Sequence, residues 1–241
     1  MTETPDYGID APNVIRNLFI GCAVCVVLAL AVGGVTIGHV RLEFYPGLLY
    51  SAFFFAAPAV LMLVYSKVGK FRHRDRILAK VAWTGAENVL DVGTGRGLLL
   101  IGAAKLLITG HAIGIDIWNA EDLSGNGPEG LLKNIAFEGV GGKTTVKSED
   151  ARQMSFPDAT FDVVLSNLCL HNIYEKPGRA KACGEIARVL KPGGAVVISD
   201  YKLMREYESM LRNCGLAVEM CPLDWTGTFP PMRVLVARKP A

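Results

Sequence analysis

The sequence predicts an α/β domain with a doubly wound, mostly parallel, seven-stranded sheet, preceded by a two-helix transmembrane hairpin. Three observations carry this. Two uncharged apolar spans precede residue 67, and from residue 88 apolar runs alternate with amphipathic helical patterns. The first of those runs enters a glycine-rich turn, DVGTGRG at 91–97. At 241 residues the chain accommodates one full α/β domain and a smaller part.

Residues 17–38 and 44–66 carry no charge, and each is long enough to cross a bilayer core as a helix. Only HVRLE lies between them, so the two predict a tight hairpin over 17–66. Pro58 is expected to kink the second helix, which membrane helices tolerate. Gly34 and Gly38 form a GxxxG that would let the helices approach closely, or are simply small residues in a membrane helix. The tail at 1–16 carries Glu3, Asp6 and Asp10 against Arg16, the wrong charge for a signal peptide. Residues 67–87 read as a basic juxtamembrane linker or helix, with six Lys or Arg between Lys67 and Lys80. Such a collar faces the cytoplasm and rests against anionic membrane lipids. Two crossings return the N-terminus to that side, so an integral membrane protein with its N-terminus and large domain in the cytoplasm is expected.

The net charge of +2 provides no field to recruit nucleic acid, and the hydrophobic content of 51% is concentrated before residue 67. Cys22 and Cys25 form a CxxC inside an apolar span, without the second pair or histidines a metal site needs. No metal is expected.

The domain at 88–241 begins with candidate strands at 88–92, 111–116, 143–148, 161–167 and 194–200, with helical patterns between them, including 179–190. Two more strands, 216–221 and 232–239, close the chain, the last read as antiparallel. Ligands of such sheets bind beyond the carboxyl ends of the strands. A dinucleotide fingerprint, GxGxxG, would need its third glycine at Leu98 or Leu100. The spacing is GxGxG instead, and Asp91 just before the turn repels a pyrophosphate. A nicotinamide-dependent oxidoreductase is disfavoured on both counts. S-adenosylmethionine, with an ammonium, a sulfonium and no phosphate, suits the acid.

DVGTGRG, then GIDIW (114–118), SEDARQMSFPDATFDVVLSN (148–167) and EIARVLKPGG (185–194), in that order, resemble class I S-adenosylmethionine-dependent methyltransferases over about residues 77–239. The resemblance implies a Rossmann-like fold and S-adenosyl-L-methionine as cofactor. Gly93, Thr94, Gly95 and Gly97 match the cofactor turn, and Asp91 the acid that faces the amino group. Asp116 matches the carboxylate that accepts the ribose hydroxyls, and Ile117 and Trp118 would flank the adenine. Asp150 would reach the adenine's exocyclic amine, with Ala151 beside it offering a backbone N–H, and Asn167 would pass under the methionine. The plainer reading of each aspartate is a helix cap or turn residue.

Methyl transfer from a sulfonium is an in-line displacement, so the protein aligns the nucleophile and disposes of a proton. The stretch 166–178, SNLCLHNIYEKPG, faces the methyl in this fold and lacks the (Asp/Asn)-Pro-Pro-Tyr signature of enzymes that methylate nucleic-acid amino nitrogens. His171 is the candidate base there, its alternative being a hydrogen bond to a loop carbonyl. Cys169, Cys214 and Cys221 raise an arsenite-methylating alternative whose spacing fits poorly. The long polar loop at 118–130 is expected to act as a lid. Tyr174 and Trp225 are candidate acceptor walls, or ordinary half-buried packing. The reading is a membrane-anchored methyltransferase for a small or lipophilic acceptor, with membrane lipids as partners and no nucleic acid. Its rival is a membrane-tethered, non-catalytic binding module.

Overall fold

A computed structural model describes residues 4–32, 34–119 and 121–241; Glu3 of the acidic tail lies outside them. Two helices, α1 (Pro12–Val32) and α2 (Tyr45–Val64), pack against each other, and each is about 30 Å long at 1.5 Å per residue. Both are apolar all round. Ile20, Val24, Leu30, Tyr50, Phe53 and Val60 are exposed, an arrangement expected of surfaces that meet lipid. Among the described residues these are the two helices long and apolar enough to cross a membrane.

The first predicted span, 17–38, is corrected at both ends. The helix starts at Pro12, whose fixed φ suits a first turn, and stops at Val32. The Gly33–Gly34 pair is a poor helix former and is followed by β-branched Val35, Thr36 and Ile37. Residues Gly34–Ile37 (β1) and Val40–Glu43 (β2) accordingly form an antiparallel ribbon turning at Gly38–His39. Gly34 and Gly38 therefore lie in this ribbon rather than in a helix, and a Cβ at Gly38 would meet nothing within 4 Å. The close approach falls at Gly21, where an added Cβ would sit 3.0 Å from the Phe55 ring. Pro58 sits inside α2 without ending it.

The helix runs on past α2 through a single wide turn, Tyr65–Gly69, into α3 (Lys70–Leu78). There follow β3 (Asn88–Val92), α4 (Leu98–Leu106), β4 (His111–Asp116), α5 (Pro128–Phe137) and β5 (Thr144–Ser148). Then come β6 (Phe161–Asn167), α6 (Lys176–Val189), β7 (Leu190–Asp200), α7 (Met204–Asn213), β8 (Ala217–Met220) and β9 (Arg233–Arg238). The sheet order is β5-β4-β3-β6-β7-β9-β8, with β9 antiparallel to both neighbours. The strand order reverses between β3 and β6, so the carboxyl ends of those strands open a crevice.

Alternate residues of the strands feed two cores. Leu90, Val164 and Val196 pack with α6 and α7, whereas Val89, Val163 and Val197 pack with α4 and α5. Ile77 and Leu78 of α3 belong to the second core, and Ile77 is fully buried. Each such side chain contributes roughly 1.5–3 kcal/mol. The folded unit that carries the sheet thus begins before residue 88, at the foot of the second long apolar helix.

Candidate functional site

The glycine turn follows β3 and is held from two sides. Backbone N–H groups of Gly93 and Thr94 donate to the Ile115 carbonyl at 2.9 and 3.0 Å. Gly93, Gly95 and Gly97 all have φ between 52° and 88°, a region disfavoured for side chains with a Cβ. At Gly93 a Cβ would also overlap the Cys169 side chain, so the turn lies directly on the loop after β6. Gly97 opens α4, and a Cβ there would overlap Leu131; its role is packing rather than contact with the crevice.

Asp116 ends β4, and one of its oxygens faces this turn while the other faces its own loop. One accepts from the Gly95 N–H at 2.8 Å, the other from the Trp118 N–H at 2.7 Å. A carboxylate offers about four acceptor positions, so lone pairs remain for a diol. Asp91 lies beneath the turn, 2 % exposed, and accepts from the Leu100 N–H at 2.9 Å. Burial pushes its carboxyl up to about 7. Asp150 is chelated by Arg152, whose guanidinium holds the carboxyl below its ordinary range. Asn167 ends β6, and its Oδ1 is buried without a hydrogen-bond partner.

His171 follows the same strand. Its Nδ1 lies 3.0 Å from Oδ2 of Asp200, the last residue of β7, and its ring stands edge-on to Tyr201 at 4.9 Å. The partner is a carboxylate rather than the loop carbonyl considered from sequence. With Asp200 accepting from Nδ1–H, Nε2 is left as the acceptor nitrogen. Asp200 was missed by sequence reasoning. The available signal was its place at the carboxyl end of a central parallel strand.

These groups line one cavity of about 680 Å³, which includes Asp91, Gly93, Thr94, Gly95, Asp116 and Ile117. Asp150, Ala151, Asn167, His171 and Tyr174 line it too. Asn119, Asp122, Leu123 and Asn126 of the 118–130 loop contribute a roof. The wall opposite is made by Tyr7, Asp10, Asn13 and Val14 and by Met62, Tyr65 and Ser66 at the foot of α2. None of these residues was singled out from the sequence as part of the site.

Three predicted residues are not brought into the cavity. Gly97 is one. Trp118 turns away, with φ at +61° and its indole N–H donating to Ser148 Oγ at 2.6 Å. Trp225 is 73 % exposed, on the loop between β8 and β9. Tyr174 is 81 % exposed and so marks the rim. The three cysteines of the arsenite alternative are also dispersed. Cys169 is in the cavity, Cys214 is exposed after α7, and Cys221 lies in a separate recess beside His73. Burial, reinforced by the surrounding carboxylates, drives the Cys169 thiol far above its usual range, which disfavours a thiolate ligand.

S-adenosylmethionine fits this arrangement. The unpartnered Asn167 Oδ1 and the Asp91 carboxyl suit an ammonium, Asp116 suits a diol, and the glycines leave room for close backbone approach. Arg96, the one cation in the turn, is committed to Asp6 at 3.0 Å and to the Ser124 carbonyl at 3.3 Å.

Residues 90–198 match the family described as "Methyltransferase domain". The chain is 28% identical over 177 residues to an uncharacterized protein of Haemophilus influenzae, covering 68% of this chain and 67% of that one. It is 32% identical over 130 residues to a demethylmenaquinone methyltransferase of Symbiobacterium thermophilum, covering 52% and 46%. It is 33% identical over 116 residues to the ubiquinone/menaquinone biosynthesis C-methyltransferase UbiE of Vibrio campbellii, covering 48% and 41%. The chain therefore spans less than half the length of these two named relatives. Among solved structures, a SAM-dependent methyltransferase from Aquifex aeolicus superposes with a TM-score of 0.57 at 20% identity, covering 75% of this chain and 97% of that one. The cyclase SpnF superposes at 0.61 with 18% identity, covering 71% and 81%. At such identities the likeness establishes the fold and leaves the reaction to the site.

Proposed function

We propose, proceeding from a sheet domain that is an S-adenosylmethionine-dependent methyltransferase domain, that the chain is membrane-anchored and methylates a small lipophilic acceptor presented from the bilayer. One observation carries this: the cavity that holds the cofactor residues is walled on its other side by Val14, Met62 and Tyr65, at the feet of the two apolar helices. An acceptor lodged between these walls has its reactive end near His171 and its apolar end toward the helices. The names of the two quinone-pathway relatives support a lipophilic acceptor of that kind.

When bound, the cofactor supplies an electrophilic methyl group. In this reading Asp116 would accept from the ribose hydroxyls, Ile117 would lie against the adenine, and Asp150 would accept from the adenine amine, with the Ala151 N–H free to donate to an adenine ring nitrogen. Asp91 and Asn167 hold the amino group. His171 Nε2 accepts the proton an acceptor hydroxyl must lose, while Asp200 fixes the ring and stabilises the imidazolium, a contribution of about 10²–10⁴ in rate. The docking of residues 6–11 on the sheet domain supports a hairpin with both ends on one face of the membrane. Exposed Lys67, Arg72 and Lys80 then meet head groups on the cytoplasmic side.

The test is Met62→Glu in full-length protein reconstituted in vesicles, assayed with a matched pair of short-chain and long-chain acceptors. A charge on the helix-side wall should slow the long-chain member selectively and leave S-adenosylhomocysteine affinity unchanged. Equal loss on both members contradicts presentation from the bilayer.

A further inference from the structure

The N-terminal segment is the least expected part of the cavity. Residues 6–11 run as a strap along the roof loop. The Ile9 N–H donates to Ser124 Oγ at 2.7 Å, the Ser124 N–H to the Ile9 carbonyl at 3.1 Å, and the Ala11 N–H to the Asp122 carbonyl at 3.0 Å. Asp6 reaches the glycine turn through Arg96, and its backbone exchanges two hydrogen bonds with Asn134 of α5. Tyr7 is buried, its hydroxyl donating to Glu138 at 2.8 Å.

The strap is fastened from the membrane side. Lys70 is the first residue of α3 and only 2 % exposed. Its Nζ donates to the carbonyls of Tyr7 and Gly8, each at 2.7 Å, and lies 3.6 Å from the Asp10 carboxylate. Ser66, one turn earlier, donates to Asp10 Oδ2 at 2.9 Å and accepts from the Asp10 N–H at 3.1 Å. Gly8, with φ at +71°, lets two successive carbonyls converge on one ammonium; a Cβ there would lie 2.9 Å from Leu123 Cδ1 and from the Ser124 carbonyl. A buried ammonium is tolerated only with such partners, and the strap supplies all of those described. The roof loop is therefore joined, through the strap, to the continuation of the membrane-facing helix. Leu123 of that loop lies over Gly95, at 3.0 Å from where a Cβ would be.

We propose that residues 6–11 form a wall of the cofactor site and that Lys70 is the positioning residue that latches it, so that the membrane hairpin helps retain S-adenosylmethionine. The inference rests on S-adenosylmethionine as the cofactor and adds to it a residue outside the sheet. Lys70 itself lines the cavity, and its hydrogen-bond and ion-pair partners among the described residues are all in the strap, through which it acts on the roof.

The experiment uses the full chain in lipid nanodiscs, with S-adenosylhomocysteine as the probe in calorimetry and limited chymotrypsin cleavage at Tyr7 as the report on the strap. Lys70→Met, which keeps the bulk and removes the charge, should expose Tyr7 and weaken affinity about tenfold, the loss expected for one charge-assisted closure. Gly8→Val should release the strap from its other side with the same two results, and it stands in if Lys70→Met does not fold. Lys70→Arg, which keeps a donor, should restore part of the affinity. Exposure of Tyr7 with unchanged affinity in the variants overturns the wall; continued protection of Tyr7 in Lys70→Met overturns the latch. A wild-type chain that fails to bind S-adenosylhomocysteine counts against the cofactor reading instead, which separates the two failures.

Discussion

Asp91 should make cofactor binding depend on pH near neutrality. Its carboxyl is buried beneath the glycine turn and raised from a usual value near 3.8 to about 7. Between these values the folded chain holds a proton that the unfolded chain has released. This contribution to stability is complete below about pH 4 and is lost as pH rises through about 7. A bound cofactor brings an ammonium to the same place and favours the ionised carboxylate. Binding below neutrality must then expel the proton, and affinity at about pH 6 should be roughly tenfold weaker than above pH 7. It should fall again above about pH 8, where an α-amino group loses its own charge. Calorimetry of S-adenosylhomocysteine binding at about pH 6, in two buffers of different ionisation enthalpy, should register release of close to one proton. Asp91→Asn keeps an acceptor for the Leu100 N–H and should bind more weakly and without the acid-side slope. A wild-type affinity that is flat from pH 6 to 7.5, or a slope that survives in Asp91→Asn, refutes the reasoning.

Three further outcomes are expected. Asp116→Ala loses two acceptors for a diol and the carboxylate that pins Gly95 and Trp118, so S-adenosylmethionine affinity should fall roughly tenfold to a hundredfold in calorimetry. His171→Gln and Asp200→Asn should each lower kcat on hydroxyl acceptors by about 10²–10⁴ while S-adenosylhomocysteine affinity is kept; thiol acceptors, already partly ionised, should lose far less. Trp225→Ala, at an exposed position outside the cavity, should leave rate and affinity within about twofold, the range of ordinary surface substitutions.

The sheet was legible because its signals are local. Short apolar runs marked all seven strands to within a few residues. The one large shift, β7 beginning at Leu190, adds Leu190–Gly193 ahead of the run at 194–200. The glycine turn was legible because glycines at those spacings have a backbone reason. The first helix was misjudged because hydropathy reports burial in lipid but not backbone form, and the first half of the ribbon, GVTIG at 34–38, carries no charge. The roles of Asp200 and Lys70 were missed for a different reason, although the place of Asp200 at the end of a strand was a signal. Each works through a partner far along the chain, His171 or Tyr7 and Gly8, and no spacing in the sequence records such a meeting. Trp118 was placed on the adenine by its position after β4, yet its positive φ turns it toward Ser148 instead.

The central claim is methyl transfer to an acceptor dissolved in the membrane. Full-length protein in vesicles, given methyl-labelled S-adenosylmethionine and acceptors grouped as lipid quinols, long-chain phenols, thiols and amines, tests it most directly by following label into the organic phase alongside S-adenosylhomocysteine release. Label extracted with a lipophilic acceptor, in proportion to S-adenosylhomocysteine formed, is the expected result. Release driven only by water-soluble acceptors, or no turnover from a chain that binds cofactor, would contradict it.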